Sequence, residues 1–264
     1  MSRSIKQLMN LEGRCALITG STGYIGREIA ETLAELGARL YLLDLNDNDL
    51  RAQQNDLKHK YNCDSQILRC NLESEMEIRS LTSNIQNLDI LVNNAAFVGS
   101  SKLQGWSTNF EKQTLDSWDR AFNVNLRAVF QLVKELREAL CASNNGSIIN
   151  ISSIYGFIGP DRSIYEGTSI DSPAAYAASK GGLIQFTRWM STVLAPAVRV
   201  NSISPGGIER GQPKNFKDRY IAKTPLKRMG REEDMKGAIT YLATDLSAWV
   251  TGQNIIVDGG WSAW

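Results

Sequence analysis

Apolar positions recur along this chain in two rhythms. Short apolar runs at 14–19, 39–44, 65–70, 89–92, 146–151, 198–203 and 254–257 read as strands. Between them the apolar positions return every three or four residues. Ile25, Ile29, Leu33 and Leu36 make one stripe over 23–36, which Gly37 closes, and the same period predicts helices over 50–60, 73–85, 115–142 (as one helix or two), 174–195 and 231–243. Segments 97–113, 152–172 and 206–223 break both rhythms and read as loops, the last with some helix. Strands separated by helices imply an α/β architecture: a doubly wound parallel sheet of about seven strands with helices on both faces. No repeat, low-complexity tract or linker divides the chain, so it is expected to form a single domain over 1–264 behind a short arm at 1–12.

Composition narrows the classes. With 264 residues, 42% of them hydrophobic and 22% charged, the chain can bury a full core. A net charge of +1 leaves no electrostatic footprint for nucleic acid or an anionic membrane. The cysteines (Cys15, Cys63, Cys70, Cys141) are scattered and His59 is the sole histidine, which argues against a metal site or a disulfide framework and fits a reducing cytosol. Arg3 and Lys6 precede no apolar leader segment, and no run approaches a membrane span. A cytoplasmic protein without membrane attachment is expected.

Two patterns carry chemistry. The first is the turn Gly20-Ser21-Thr22-Gly23-Tyr24-Ile25-Gly26, which follows a strand and opens a helix. Gly20 and Gly26 let backbone approach a pyrophosphate, and the helix N-terminus presents free N–H groups to it. Asp44 closes the next strand, where a carboxylate accepts hydrogen bonds from ribose hydroxyls and repels a 2′-phosphate. Neither Leu45 nor Ser21 or Thr22 supplies an offsetting cation, so NAD(H) is predicted over NADP(H). The second pattern is Tyr176 and Lys180, one turn apart on one helix face. An ammonium there favours the phenolate and draws the tyrosine from its usual value of about 10 towards neutrality, as acid–base catalysis requires.

Thr19-Gly20…Gly26, Asn93-Asn94-Ala95-Ala96, Asn123-Val124-Asn125, Asn150-Ile151-Ser152-Ser153, Tyr176…Lys180, Pro205-Gly206 and Val257-Asp258-Gly259-Gly260 occur in that order. Together they resemble the short-chain dehydrogenase/reductase family over nearly the whole chain. The resemblance implies a Rossmann-type fold and a catalytic set of Asn125, Ser153, Tyr176 and Lys180. Tyr176 would exchange a proton with the substrate oxygen. Lys180 would lower its pKa and hold the nicotinamide ribose, and Ser153 would hydrogen-bond the substrate. Asn125 would hold a water linking Lys180 to solvent, or else serve as a core amide in a bent helix. Ser153, rather than Ser152, occupies the family's position before x-x-Gly. NAD contacts are implied at Gly20, Thr22, Tyr24, Ile25, Gly26, Asp44 and Leu45, at Asn71 and Leu72 for adenine, and at Asn94, Ala95 and Ala96 for the ribose. Tyr176, Lys180, Pro205, Gly206 and Ile208 complete the set, and no metal is implied. Asn93 and Asn94 also suit a structural role as cross-links between strands. Pairing of the helices at 115–142 and 174–195 between subunits is a family habit, and Trp261 and Trp264 suggest a second interface. A homotetramer, or otherwise a homodimer, is expected.

Three features depart from the family. Tyr24 stands where single-domain members carry glycine, as in the larger sugar-nucleotide branch, for whose separate substrate domain this chain is too short. Ser153 and Tyr176 are separated by a polar insertion, about 157–173, which reads as a grip for a hydroxylated substrate or as a solvated loop. Arg210 stands near the family's carboxamide-binding threonine, in a lid over about 207–223 that also carries Lys214, Lys217, Arg219 and Lys223. That lid suits an anionic sugar derivative, though Glu209 and Asp218 dilute it and a solvated helix face is the alternative. The stretch 163–264 is also similar to oxidoreductases of cell-surface carbohydrate pathways. The expected activity is NAD(H)-dependent interconversion of a secondary alcohol and a carbonyl on a polar, sugar-derived substrate. The alternatives are an epimerase or dehydratase with bound NAD, and a non-catalytic NAD-binding scaffold.

Overall fold

The computed structural model describes residues 2–97, 103–143, 145–168 and 171–264. Parts of two predicted segments, 98–102 in the loop at 97–113 and 169–170 in the insertion, lie outside the described residues. Seven parallel strands form one sheet: β1 (Cys15–Thr19), β2 (Arg39–Asp44), β3 (Ser65–Arg69), β4 (Ile90–Asn93), β5 (Gly146–Ile151), β6 (Val198–Pro205) and β7 (Asn254–Val257), in the order β3-β2-β1-β4-β5-β6-β7. The chain winds outward from β1 to β3, then returns beside β1 as β4 and winds the other way. That reversal opens a crevice at the carboxyl ends of β1 and β4, where open α/β sheets bind ligands.

Successive residues of β1 explain why its sequence is apolar without interruption. Ala16 and Ile18 join one core, with Ile29, Leu33, Leu50, Ile239 and Leu242. Leu17 joins the other, with Ile78, Val129, Leu136, Leu183 and Val200. Period-2 alternation thus feeds a hydrophobic layer on each face. The first layer is covered by α2 (Tyr24–Glu35), α3 (Asp47–Tyr61) and α9 (Lys236–Ala243), the second by α4 (Glu75–Thr82), α6 (Ala128–Ala142) and α7 (Ala174–Val193).

Helix ends differ from the expected ones where polar side chains decide them. Asn46 caps α3 through Asn48 N and Asp49 N, so that helix begins earlier than its apolar period, and Asn62 closes it at φ 50°. Ser74 caps α4 and shortens the helix expected at 73–85. The arm contains α1 (Ile5–Met9), held by a Ser4–Gln7 capping box, and is anchored by the buried Leu11. The expected helix at 231–243 opens as a 3₁₀ turn, Glu232–Met235, before α9. The long helix expected at 115–142 is two, α5 (Leu115–Phe122) and α6, joined by a π-turn at Asn123–Arg127. Within the lid lies α8 (Lys214–Lys223).

The insertion and lid form one outlying aromatic cluster. Ile164 of the insertion packs with Phe216 and Tyr220 of α8 and with Trp261. Trp261 stacks on Tyr220 at 4.1 Å with ring planes 6° apart, and is buried within its own chain. This corrects the expectation that Trp261 seeks a partner subunit; Trp264 stays exposed. Among the described residues no helix is long and apolar enough to cross a membrane.

Candidate active site

A cavity of about 580 Å³ opens at the carboxyl end of the sheet. Its wall collects nearly every predicted cofactor residue: Gly20, Tyr24, Ile25, Gly26, Asp44, Leu45, Asn71, Leu72, Asn94, Ala95, Ala96, Tyr176, Lys180, Pro205, Gly206 and Ile208. Ser153 lies on the same wall, whereas Thr22 and Asn125 do not line the cavity.

The turn after β1 is built for close approach. Gly20 has φ +63°, and a Cβ there would come within 2.8 Å of Ala95 Cα; one on Gly26 would lie 2.0 Å from Gly20 O. Helix α2 follows with Gly23 as N-cap, which offers no capping side chain, and its first turn holds no acidic residue. In contrast, Ser4, Asn46, Ser74 and Thr114 cap α1, α3, α4 and α5. The start of α2 therefore offers its amides to an anion. At the end of β2, Asp44 Oδ2 accepts from Thr22 N (3.0 Å) and Thr22 Oγ1 (2.7 Å), and Oδ1 accepts from Leu45 N (2.7 Å). Thr22 acts by fixing this carboxylate.

The two asparagines after β4 divide their roles. Asn93 Nδ2 donates to Asn150 Oδ1 at 2.8 Å and ties β4 to β5. Asn94 Nδ2 donates to Thr19 O and Gly20 O, bracing the glycine turn while facing the cavity. The glycine turn, the fixed carboxylate and the uncapped helix suit the residues of this cavity to a dinucleotide.

Tyr176 and Lys180 stand on the first turns of α7. Lys180 Nζ donates to Ile151 O at 2.7 Å and lies 5.7 Å from the centre of the Tyr176 ring. Burial drives both groups towards neutrality. Lys180 is pushed down to about 8. Tyr176 is pushed up by burial, against a hydrogen bond from Ser153 and the positive charge of Arg210. The expected depression of Tyr176 by Lys180 is thus not found: spacing places the two on one face, but desolvation of the phenolate outweighs the neighbouring charges.

Ser153 begins the 3₁₀ turn Ile154–Gly156, where its Oγ accepts from Tyr155 N. Ser152 Oγ is committed to Lys180 O at 2.9 Å, which leaves Ser153 as the serine acting towards Tyr176. Asn125 is buried in the π-turn. Its Oδ1 accepts from Phe97 N (2.6 Å) and its Nδ2 donates to Ser179 Oγ (2.9 Å), which bonds in turn to Tyr176 O. Each end of its amide thus meets one protein partner, as a core amide would, and one N–H and one lone pair remain for a further partner such as the expected water.

The insertion and the lid depart from expectation. Arg162 pairs with Asp171 (3.0 Å), the Tyr155 and Tyr165 hydroxyls meet at 2.6 Å, and no described residue of 157–173 lines the cavity. Arg162, Asp171 and Tyr165 of the insertion are thus engaged within the protein. Of the lid cations, Lys214 pairs with Asp218, Lys217 with Glu209 and Lys223 with Asp161, while Arg219 donates to Ser163 O and Glu166 O. Of these cations only Arg210 lines the cavity; the three lysines are paired with carboxylates, two of them within the lid and one, Asp161, in the insertion.

Sequence reasoning missed Arg120, which pairs with Glu73 at 3.1 Å and lies 4.8 Å from the Phe97 ring on the cavity wall. No spacing rule links residues so far apart in the chain. Cys70 also reaches the wall, but burial pushes its thiol up to about 11, so it is packing rather than a nucleophile.

Comparison with known proteins shows the family and the fold. The sequence profile of a family described as enoyl-(acyl carrier protein) reductase matches residues 21–262. The chain is 32% identical to the 3-oxoacyl-[acyl-carrier-protein] reductase FabG of Aquifex aeolicus over 261 residues, covering 96% of this chain and 98% of that one. Among solved structures, a short chain dehydrogenase from Leptospira borgpetersenii with bound NAD⁺ superposes with a TM-score of 0.84 at 31% identity, over 99% of this chain and 97% of that one. A gluconate 5-dehydrogenase from Burkholderia cenocepacia in complex with NADP and tartrate superposes with a TM-score of 0.85 at 27% identity, over 99% and 100%.

Proposed function

The chain belongs to the short-chain dehydrogenase/reductase family of NAD(P)-dependent oxidoreductases, and we propose that it uses NAD(H) in preference to NADP(H) to interconvert a secondary alcohol and a carbonyl on a small, polar, hydroxylated substrate. One observation carries this reading. Ser153, Tyr176 and Lys180 share a wall of the cavity that also holds the carboxylate of Asp44, fixed by three hydrogen bonds.

Bound nicotinamide supplies the hydride acceptor for oxidation and the donor for reduction. In oxidation the Tyr176 oxygen takes the proton of the substrate hydroxyl; in reduction it returns one to the developing alkoxide. Ser153 Oγ holds the substrate oxygen beside it. Lys180, brought to about 8 by burial, exchanges protons near working pH and resets Tyr176. Asn125 is a positioning residue that ties the start of α7, through Ser179, to Phe97.

The likeness to a gluconate 5-dehydrogenase supports a polar substrate. The lid lysines pair with carboxylates and lend an anionic substrate little support, which leaves Arg210 as the lid cation that faces the cavity. An acyl thioester, in line with the name of the FabG relative, is the second reading and draws on that 32% identity. The half-exposed rings of Phe130 and Trp189, on either side of Phe186 on α6 and α7, support assembly through these helices as a homotetramer, or otherwise a homodimer.

Fluorescence titration with NADH and NADPH tests the cofactor preference. The wild type is expected to bind NADH more tightly. Asp44→Ser is expected to weaken NADH and strengthen NADPH by about tenfold each, because it removes both the ribose acceptor and the repulsion of the 2′-phosphate. Unchanged affinities in the variant would contradict the role given to Asp44. Turnover of polyols and aldonic acids against a short 3-oxoacyl thioester separates the two substrate readings, with the first group expected to be faster.

A further inference from the structure

Two positions at which the sequence leaves the family pattern meet in space. Tyr24 is the first residue of α2, and the guanidinium carbon of Arg210 lies 4.6 Å from the centre of its ring. Arg210 Nε donates to Glu232 Oε1 at 3.2 Å, which engages the guanidinium at its Nε edge. The backbone beneath it is fixed as well: Arg210 N donates to Gln212 Oε1 and Gln212 Nε2 to Ile208 O, each at 2.7 Å. The contact therefore joins the glycine turn on one bank of the cavity to the segment after β6 on the other.

The chemistry left over at this contact is that of an anion site. With Nε engaged, the two terminal nitrogens of Arg210 make no protein hydrogen bond among the described residues. Arg210 also faces the cavity into which the uncapped start of α2 opens, and its charge is felt at Tyr176. A guanidinium presents a planar fork matched to phosphate oxygens, and an aromatic face beneath it limits its orientation without consuming those donors.

We propose that Tyr24 and Arg210 form a clasp across the cavity that binds the pyrophosphate of the dinucleotide and slows its release. The ring of Tyr24 sets the plane of the guanidinium, and the terminal nitrogens of Arg210 supply charge-assisted donors in addition to the amides of α2. This inference rests on the reading of the cavity as a dinucleotide site. It gives Tyr24 and Arg210, each a departure on its own, one joint purpose.

The test uses the full chain and three probes: NADH, ADP-ribose, which keeps the pyrophosphate without the nicotinamide, and adenosine, which has no phosphate. Tyr24→Leu and Arg210→Ala are each expected to weaken ADP-ribose and NADH by roughly five- to fiftyfold, with a matching rise in the stopped-flow release rate of NADH. Adenosine affinity stays at the wild-type value. Tyr24→Phe behaves as wild type, whereas Arg210→Lys, which keeps charge but loses the fork, remains weakened. The double variant Tyr24→Leu/Arg210→Ala is expected to be no weaker than Arg210→Ala alone, because the ring acts through the guanidinium. Thermal unfolding verifies that each variant is folded. Unchanged ADP-ribose affinity in folded Arg210→Ala, or losses that simply multiply in the double variant, would overturn the clasp while leaving the dinucleotide site intact. A wild type that binds neither NADH nor NADPH would remove the site and the clasp with it.

Discussion

Tyr176→Phe is expected to lower kcat by roughly a hundred- to ten-thousandfold, the usual contribution of a positioned acid–base group, while NADH affinity stays within about twofold of wild type. The substitution deletes a single oxygen and keeps the ring that lies 5.7 Å from Lys180 Nζ. What disappears is the group that accepts and returns the substrate proton, together with its hydrogen bond to Ser153. Fluorescence titration alongside steady-state rates checks the result. A variant that keeps more than about a tenth of wild-type kcat would contradict the role of Tyr176, since the expected loss is at least about tenfold larger.

The second large effect concerns Lys180 and the pH dependence of stability. Burial pushes this lysine from the ordinary 10.5 down to about 8, so the folded chain gives up its proton before the unfolded chain does. Between those values the unfolded state binds more protons, and the group's contribution to stability rises with pH; below about 8 the full cost of burying a charge is present. At about 1.4 kcal/mol for each unit, the gain across the window is roughly 3 kcal/mol. Three buried thiols, Cys15, Cys63 and Cys70, act with the opposite sign. Burial pushes each from 9.0 to about 11, so above 9.0 the unfolded state is the one that loses protons first. The difference between wild type and Lys180→Met therefore isolates the lysine. Denaturant unfolding across pH 8 to 10.5 is expected to show wild type gaining stability relative to the variant; parallel profiles would contradict the buried, partly neutral lysine.

The strands were legible because apolar runs and their polar interruptions are local. All seven appear at the expected places, within a residue or two at their ends, and the crevice at β1 and β4 follows from their order. The cavity wall was legible for a similar reason: the glycine turn, Asp44, Asn94–Ala96, Pro205, Gly206 and Ile208 all sit at strand ends that the topology brings together. Features set by long-range pairing were not. Glu209 and Asp218 were legible as carboxylates that dilute the lid, and they pair with Lys217 and Lys214; the partner of Lys223, Asp161 in the insertion, was not. Trp261 looked like an interface residue because nothing near it in sequence announces Tyr220 beneath its ring. Spacing placed Tyr176 and Lys180 on one face but carried no information about desolvation, which decides the direction in which both titrate. The apolar period leaves the division of 115–142 open between one helix and two, and the structure places it at the π-turn Asn123–Arg127.

The most direct test of the account is the amount of NADH formed per enzyme when the wild type, supplied with excess NAD⁺, oxidises a polyol or aldonic acid. The account predicts continuous release of NADH, reaching many equivalents per enzyme, slower with NADP⁺ and lost in Tyr176→Phe. A burst of no more than one equivalent accompanied by a rearranged sugar would contradict it, and would identify an enzyme that retains its cofactor to epimerise or dehydrate.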